Sequence, residues 1–200
     1  MAQPYCVPDG DIEVALEVKK SRFIARAAYA ASRPEAMAHL TQARLDYPDA
    51  RHHCWAYLLG NPGCAASAAM NDAGEPSGTA GKPILNVIQH KGIGDLMVVV
   101  IRYFGGVKLG AGGLVRAYAG VTEAALSQLP LAQHLPCCEA TLTLGFAQEQ
   151  PLRHWAAGHE ATVGRVDYGV GVTMGLSLPA AQREALEAFC LAHGIGCVID

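Results

Sequence analysis

The sequence predicts an α+β protein built from two domains, and three observations carry that prediction. Apolar and charged residues alternate from Ile12 to Val18, the period of a half-buried strand, and a second β-prone run follows from Arg22 to Tyr29. A continuous apolar run from Leu96 to Ile101 leads into five glycines within residues 105–113 and then into a helical pattern. After two prolines, Pro130 and Pro136, the patterns change again and follow the order β-α-β-β-α-β to the end of the chain.

Each element has a local cause. Residues 12–18 and 22–29 read as a strand pair. Ser32-Arg33-Pro34-Glu35 has the form of a capping box with proline in the first turn. Met37, Leu40 and Arg44 then share one side of a helix that runs to about Tyr47, where Pro48 stops it. Residues 53–59 form a short β-prone run. Residues 61–78 read as a polar loop rich in Gly, Ala and Ser, and residues 81–90 as a short helix with Pro83 in its first turn. Residues 95–103 are the clearest strand, and their unbroken hydrophobicity predicts a central position covered on both faces. Leu114, Tyr118, Val121 and Ala125 mark the buried face of a helix ending near Leu129. Residues 130–136 read as a linker, which puts the first domain at 1–130 and the second at 137–200. In the second domain, strands are expected at 139–144, 162–167, 170–178 and 197–199, with helices at 148–158 and 180–193. That order is the split arrangement of ferredoxin-like domains.

Composition narrows the function. With 200 residues and 51% hydrophobic content, the chain can bury one sizeable core or two modest ones. Its longest apolar run is far below the roughly 20 residues needed to cross a bilayer, and residues 1–10 lack a basic stretch leading into an apolar one. The expectation is a cytoplasmic protein with no membrane partner. Seven cysteines are irregularly spaced with no CxxC pair, and they read as reduced, mostly buried thiols. The net charge of −3 argues against a general polyanion binder. The charge is uneven, however. Residues 1–130 carry 12 Lys and Arg against 11 Asp and Glu, whereas residues 131–200 carry 3 against 7. Between Arg102 and Arg116 lie the cations Arg102, Lys108 and Arg116 with no acid at all, so a local basic surface can exist on an acidic protein.

Three segments could carry chemistry. The loop containing Gly105, Gly106, Lys108, Gly110, Gly112 and Gly113 joins a strand to a helix, where backbone N–H groups and the helix dipole attract anions. It lacks the GK[ST] ending of a Walker A loop and is not a clean GxGxxG. The glycines could equally supply tight turns and close packing. Arg102 and Tyr103 end the buried strand beside this loop, and Arg116 lies one turn into the following helix. Three cations on one rim require counter-charge, supplied either by Asp72 and Glu75 or by a ligand. The second segment, residues 71–83, places Asp72, Glu75, Ser77, Thr79 and Lys82 close together. These groups suit acid–base chemistry or ligand binding, or a structured turn in which Asp72, Ser77 and Thr79 bond local amides. In the third, His52, His53 and Cys54 invite a metal or nucleophile reading, but adjacent strand residues face opposite ways, and Cys54 reads as core. No metal site and no cofactor are expected. Tyr57, Tyr103, Phe104 and Tyr118 read as packing residues.

Taken together, residues 20–24 (KSRFI), 53–57 (HCWAY), 72–83, 102–110 and 112–118 closely resemble the IMPACT family. The central pieces, DAGEPSGTAGKP and RYFGGVKLGAGGLVRAY, are long and occur in the family's order, and the match spans essentially the whole first domain. Asn71 stands where the family usually has a second Asp, removing one of two adjacent carboxylates that a divalent-metal site would use. The resemblance implies a ribosomal-protein-S5-domain-2-like fold for the first domain, shared with elongation factor G and GHMP kinases. It implies for the second a ferredoxin-like domain similar to one in elongation factor G. Eukaryotic relatives modulate translational control by binding a ribosome-associated activator of an initiation-factor kinase. The function expected here is therefore non-catalytic binding linked to translation. Its partner would be RNA, the ribosome or another phosphate-bearing ligand, or a regulatory protein. The alternative is an enzyme acting on a phosphorylated small molecule, with Asp72 or Glu75 as base.

Overall fold

The computed structural model describes residues 4–199 of the chain. These divide into two compact units, 5–134 and, together with Pro4, 135–199.

The first unit is built on a five-stranded sheet. After a short β1 (Tyr5–Pro8) come β2 (Ile12–Val18) and β3 (Ser21–Tyr29), an antiparallel pair, then α1 (Arg33–Asp46). Ser32 caps α1 by accepting from the Glu35 N–H, but the Glu35 carboxylate reaches back to the Ala31 N–H rather than to that of Ser32. Next are β4 (His52–Leu59), β5 (Ser67–Asn71), α2 (Gly81–Lys91), β6 (Leu96–Tyr103) and α3 (Ala111–Leu126). The sheet order is β2-β3-β6-β4-β5, so β6, with its apolar run from Leu96 to Ile101, lies in the centre. Alternation along the strands sends Phe23, Val98 and Val100 to one face, beneath Ile84 and Ile88 of α2 and Tyr118 and Val121 of α3. The opposite face packs Ile24, Val99 and Ile101 under Leu40 and Ala43 of α1. Each such large side chain, fully buried, stabilises by about 1.5–3 kcal/mol, so the two layers clamp β6 rigidly and fix where its last residues point.

Two segments differ from expectation. Residues 67–71, expected in a loop, form the edge strand β5 against β4. Residues 131–134, expected in a linker, form β7 (Leu131–His134), which pairs antiparallel with β1. Backbone bonding continues beyond the ladder, from the Asp9 N–H to the Pro130 carbonyl.

The second unit follows β8 (Cys137–Leu144), α4 (Glu149–Gly158), β9 (Thr162–Tyr168), β10 (Val172–Pro179), α5 (Arg183–His193) and β11 (Gly196–Ile199). The βαββαβ order holds, and the four strands run antiparallel in the order β11-β8-β10-β9. Leu142, Leu144, Met174 and Leu176 pack with Leu152 and Leu186 of the helices, whereas Thr141, Thr143 and Thr173 are exposed. Among the described residues, no helix is long and apolar enough to cross a membrane. The cysteines are all free, but only Cys54 and Cys190 are buried, and Cys64 and Cys137 are exposed, which corrects the expectation that most are buried.

Candidate functional site

The end of β6 delivers Arg102 and Tyr103 to opposite faces of the sheet. Arg102 enters the α3 side, where its guanidinium carbon lies 5.4 Å from the Phe23 ring centroid and 5.6 Å from that of Phe104. Tyr103 packs against the α1 side, so it is not part of any site shared with Arg102.

Arg102 is not a free cation. Its Nη1 lies 2.6 Å from Glu75 Oε1, and the two side chains are only 7% and 4% exposed. The Tyr118 hydroxyl donates to the same Glu75 oxygen at 2.9 Å, and the Cys54 thiol donates to Tyr118 Oη at 3.2 Å. Cys54, Tyr118, Glu75 and Arg102 thus form one buried chain of polar groups from β4 to the end of β6. Burial pushes the Cys54 thiol up to about 12, and the nearby Glu75 and Asp72 carboxylates reinforce the shift. That is the reverse of an activated thiolate. Burial likewise raises Tyr118, with the neighbouring Cys54 and Glu75 adding to it.

Asp72 serves the turn before α2. Its carboxylate accepts from the N–H groups of Gly78 at 2.8 Å, Ala80 at 3.0 Å and Gly81 at 2.8 Å. Burial opposes ionisation of this carboxyl, but the three donors outweigh it and hold the group below its ordinary range. The Thr79 hydroxyl donates to the Pro76 carbonyl at 2.6 Å. His52 Nδ1 lies 3.0 Å from the Ala73 carbonyl oxygen, on the other side of β4 from the buried His53. Of the two readings left open for residues 71–83, the structured turn accounts for Asp72 and Thr79, and the counter-charge for Arg102 is Glu75.

The glycine loop combines packing with an open surface. A side chain at Gly105 would place its Cβ 1.9 Å from the Lys20 carbonyl oxygen, and the Gly105 N–H donates to Ser21 Oγ at 3.2 Å. Gly110, with φ 71° and ψ 167°, occupies a region essentially reserved for glycine and turns the chain into α3. Gly110, the N-cap residue, has no side chain to bond the first-turn amides of α3. In front of it lies a cleft of about 290 Å³ lined by Glu75, Pro76, Arg102, Phe104, Lys108, Leu109, Gly110, Ala111 and Leu114. Gly112 and Gly113 belong to the first turn of α3, and an added Cβ at Gly112 would lie 3.7 Å from an Arg116 guanidinium nitrogen, so Arg116 reaches back toward that turn. Lys82 does not join this cleft. It lines a separate groove between α2 and α3 with Gly78, Val87, His90 and Val115. Ser77 is exposed. Among the described residues, the ion pairs include none of Lys82, Lys108 and Arg116.

Three participants escaped the sequence reading: Phe104, which is 55% exposed, and the hydroxyl and thiol of Tyr118 and Cys54. A buried tyrosine on an apolar helix face does carry a signal, since its hydroxyl requires a partner.

The Impact N-terminal domain profile matches residues 19–126, and that of a domain of unknown function, DUF1949, matches residues 142–189. The chain is 38% identical over 193 residues to the IMPACT family member YigZ of Escherichia coli K12, covering 93% of this chain and 91% of that one. It is 43% identical over 122 residues to an IMPACT family member of Haemophilus influenzae, covering 61% and 59% respectively. A crystal structure described as that of a hypothetical protein, 34% identical, superposes with a TM-score of 0.78 over 99% of this chain and 98% of its own.

Proposed function

Because this chain belongs to the IMPACT family, we propose that it is a translation-linked regulatory protein that binds a phosphate-bearing partner, RNA or the ribosome, at the rim where β6 passes into α3. The observation that carries this reading is the cleft itself. Lys108, free of ion pairing, stands with the uncapped first turn of α3 over a concave surface, and Arg116 bends back toward the same turn. Amides and cations in that arrangement suit an anion whose sequence need not be read. The residues that an enzyme would use are otherwise engaged: Cys54 is held as a thiol, Asp72 by three amides and Glu75 by Arg102 and Tyr118.

The same reading places the protein in the cytoplasm. It also takes the first unit as ribosomal-protein-S5-domain-2-like and the second as ferredoxin-like. The split βαββαβ order and the antiparallel order β11-β8-β10-β9 support the latter.

Co-sedimentation with ribosomes and with free RNA across a salt series tests the proposal. The informative variant is Lys108→Ala/Arg116→Ala, since both side chains are exposed and unpaired. Each phosphate contact removed should flatten the slope of log affinity against log salt by roughly 0.7–0.9. Association that is absent at every salt, or unchanged in the variant, would overturn the reading.

A further inference from the structure

The cleft before α3 is not lined as a plain phosphate site would be. Its walls include Pro76, Leu109, Leu114 and the exposed ring of Phe104, alongside Lys108 and the α3 N-terminus. Apolar walls do nothing for inorganic phosphate but suit the face of an aromatic ring. Arg102, whose side chain is 7% exposed and is paired with Glu75, also lines the cleft, so its charge is already balanced and Lys108 supplies the unpaired cation there.

We infer that this cleft takes a single unstacked nucleotide, its phosphate held by Lys108 and the α3 amides and its base laid against Phe104. The inference rests on the anion-binding reading above and makes it specific. Three physical points support it. The volume of about 290 Å³ falls just below the roughly 300–1,000 Å³ of ligand pockets, which leaves no room for a run of nucleotides. Charge sets the polarity of binding: Glu75 faces Arg102 at the inner end, so a phosphate is favoured at the outer end with Lys108, which leaves the ring for the aromatic wall. Finally, the Arg102 guanidinium beside the Phe104 ring fixes that ring as a platform without consuming its exposed surface. In a duplex the bases already stack on one another, so paired RNA can offer the cleft its phosphates but not a base. The ligand chemistry is shared by a free mononucleotide and by an unpaired nucleotide within a strand.

Fluorescence anisotropy on the full chain with labelled single-stranded oligoadenylate RNA provides the test, with a blunt RNA duplex, adenosine monophosphate and inorganic phosphate as competitors. Single-stranded RNA should bind more tightly than the duplex. Phe104→Ala should weaken it on the order of tenfold, Phe104→Trp should restore it, and competition by inorganic phosphate should be unchanged in both. Competition by adenosine monophosphate as strong as that by the unlabelled strand identifies the free nucleotide as the source. Competition by the strand alone identifies RNA, and either supports the site. If Phe104→Ala binds as wild type while Lys108→Ala loses binding, or if duplex competes as well as single strand, the nucleotide inference is overturned and the anion site stands. If no probe binds, both fall together. Melting curves of the Phe104 variants exclude unfolding as the cause.

Discussion

Replacing Arg102 with alanine should destabilise the first unit far more than loss of a surface cation would. The guanidinium is nearly buried and lies 2.6 Å from a Glu75 carboxylate that is even less exposed. Removing it leaves an anion in the interior with the Tyr118 hydroxyl as its remaining side-chain donor. Breaking a buried pair from one side costs about 3–5 kcal/mol, against about a tenth of that for an exposed pair. For a unit of this size, unfolding entropy near 2.1 cal/mol/K per residue converts the loss to a melting temperature lower by about 10–18 °C. The chain's two tryptophans allow the assay to be local: Trp55 lies in β4 and Trp155 in α4. In a Trp155→Phe background, fluorescence reports the first unit alone. Arg102→Met/Glu75→Leu should recover more than half of the loss, because replacing both partners leaves no unpaired charge. A shift below about 3 °C in Arg102→Ala, or a double variant no more stable than the single, would refute the argument that the pair anchors the end of β6.

Asp72→Ala should cost about 1–2 kcal/mol, as loss of a helix-capping carboxylate does, read by urea unfolding. The folded-state carboxyl sits below its ordinary value of 3.8, so its contribution is complete above that pH and is lost as pH falls through the folded-state value. A wild-type to variant stability gap that stays constant below pH 4 would contradict it. At pH 8, iodoacetamide should modify the exposed Cys64 and Cys137 first, while Cys54 and Cys190, both pushed up to about 12 by burial, react only on unfolding. Peptide mass spectrometry checks the order, and early modification of Cys54 would sink it. Gly105→Ala should destabilise by roughly 1–3 kcal/mol or more, because the added Cβ meets the Lys20 backbone, and a neutral result in thermal melts would show that the β3–β6 end yields readily.

Much of the fold was legible because its causes are local. The apolar run 96–101 became the central strand, Ser32 caps α1, and the periodicity of Leu114, Tyr118 and Val121 gave the buried face of α3. What was not legible depends on distant partners or weak propensity. Ser67–Asn71 has no β-branched or aromatic residue and so little preference for a strand, and becomes one only because β4 offers an edge. Leu131–His134 sits between prolines and forms a strand by pairing with β1 at the other end of the unit. At the site, sequence could count the charges at Arg102, Lys108, Arg116, Asp72 and Glu75 but could not assign partners. The period-2 geometry of β6 made that assignment, sending Arg102 inward to Glu75 and Tyr103 to the opposite face.

That assignment changes how any binding experiment on this rim must be built. Arg102 holds the architecture, whereas Lys108 and Arg116 present unpaired charge outward, although all three lie within one uninterrupted basic segment. A combined Arg102→Ala/Lys108→Ala variant would lose both stability and charge, and a fall in association could not be attributed to either. Separating the two requires Lys108 and Arg116 to be changed with Arg102 intact, and Arg102 to be changed together with Glu75. If the rim is a binding surface, the first pair of changes abolishes salt-sensitive association at unchanged melting temperature. The second pair then preserves the outer phosphate contact while altering how firmly Phe104 is held, since the guanidinium that braces that ring is gone.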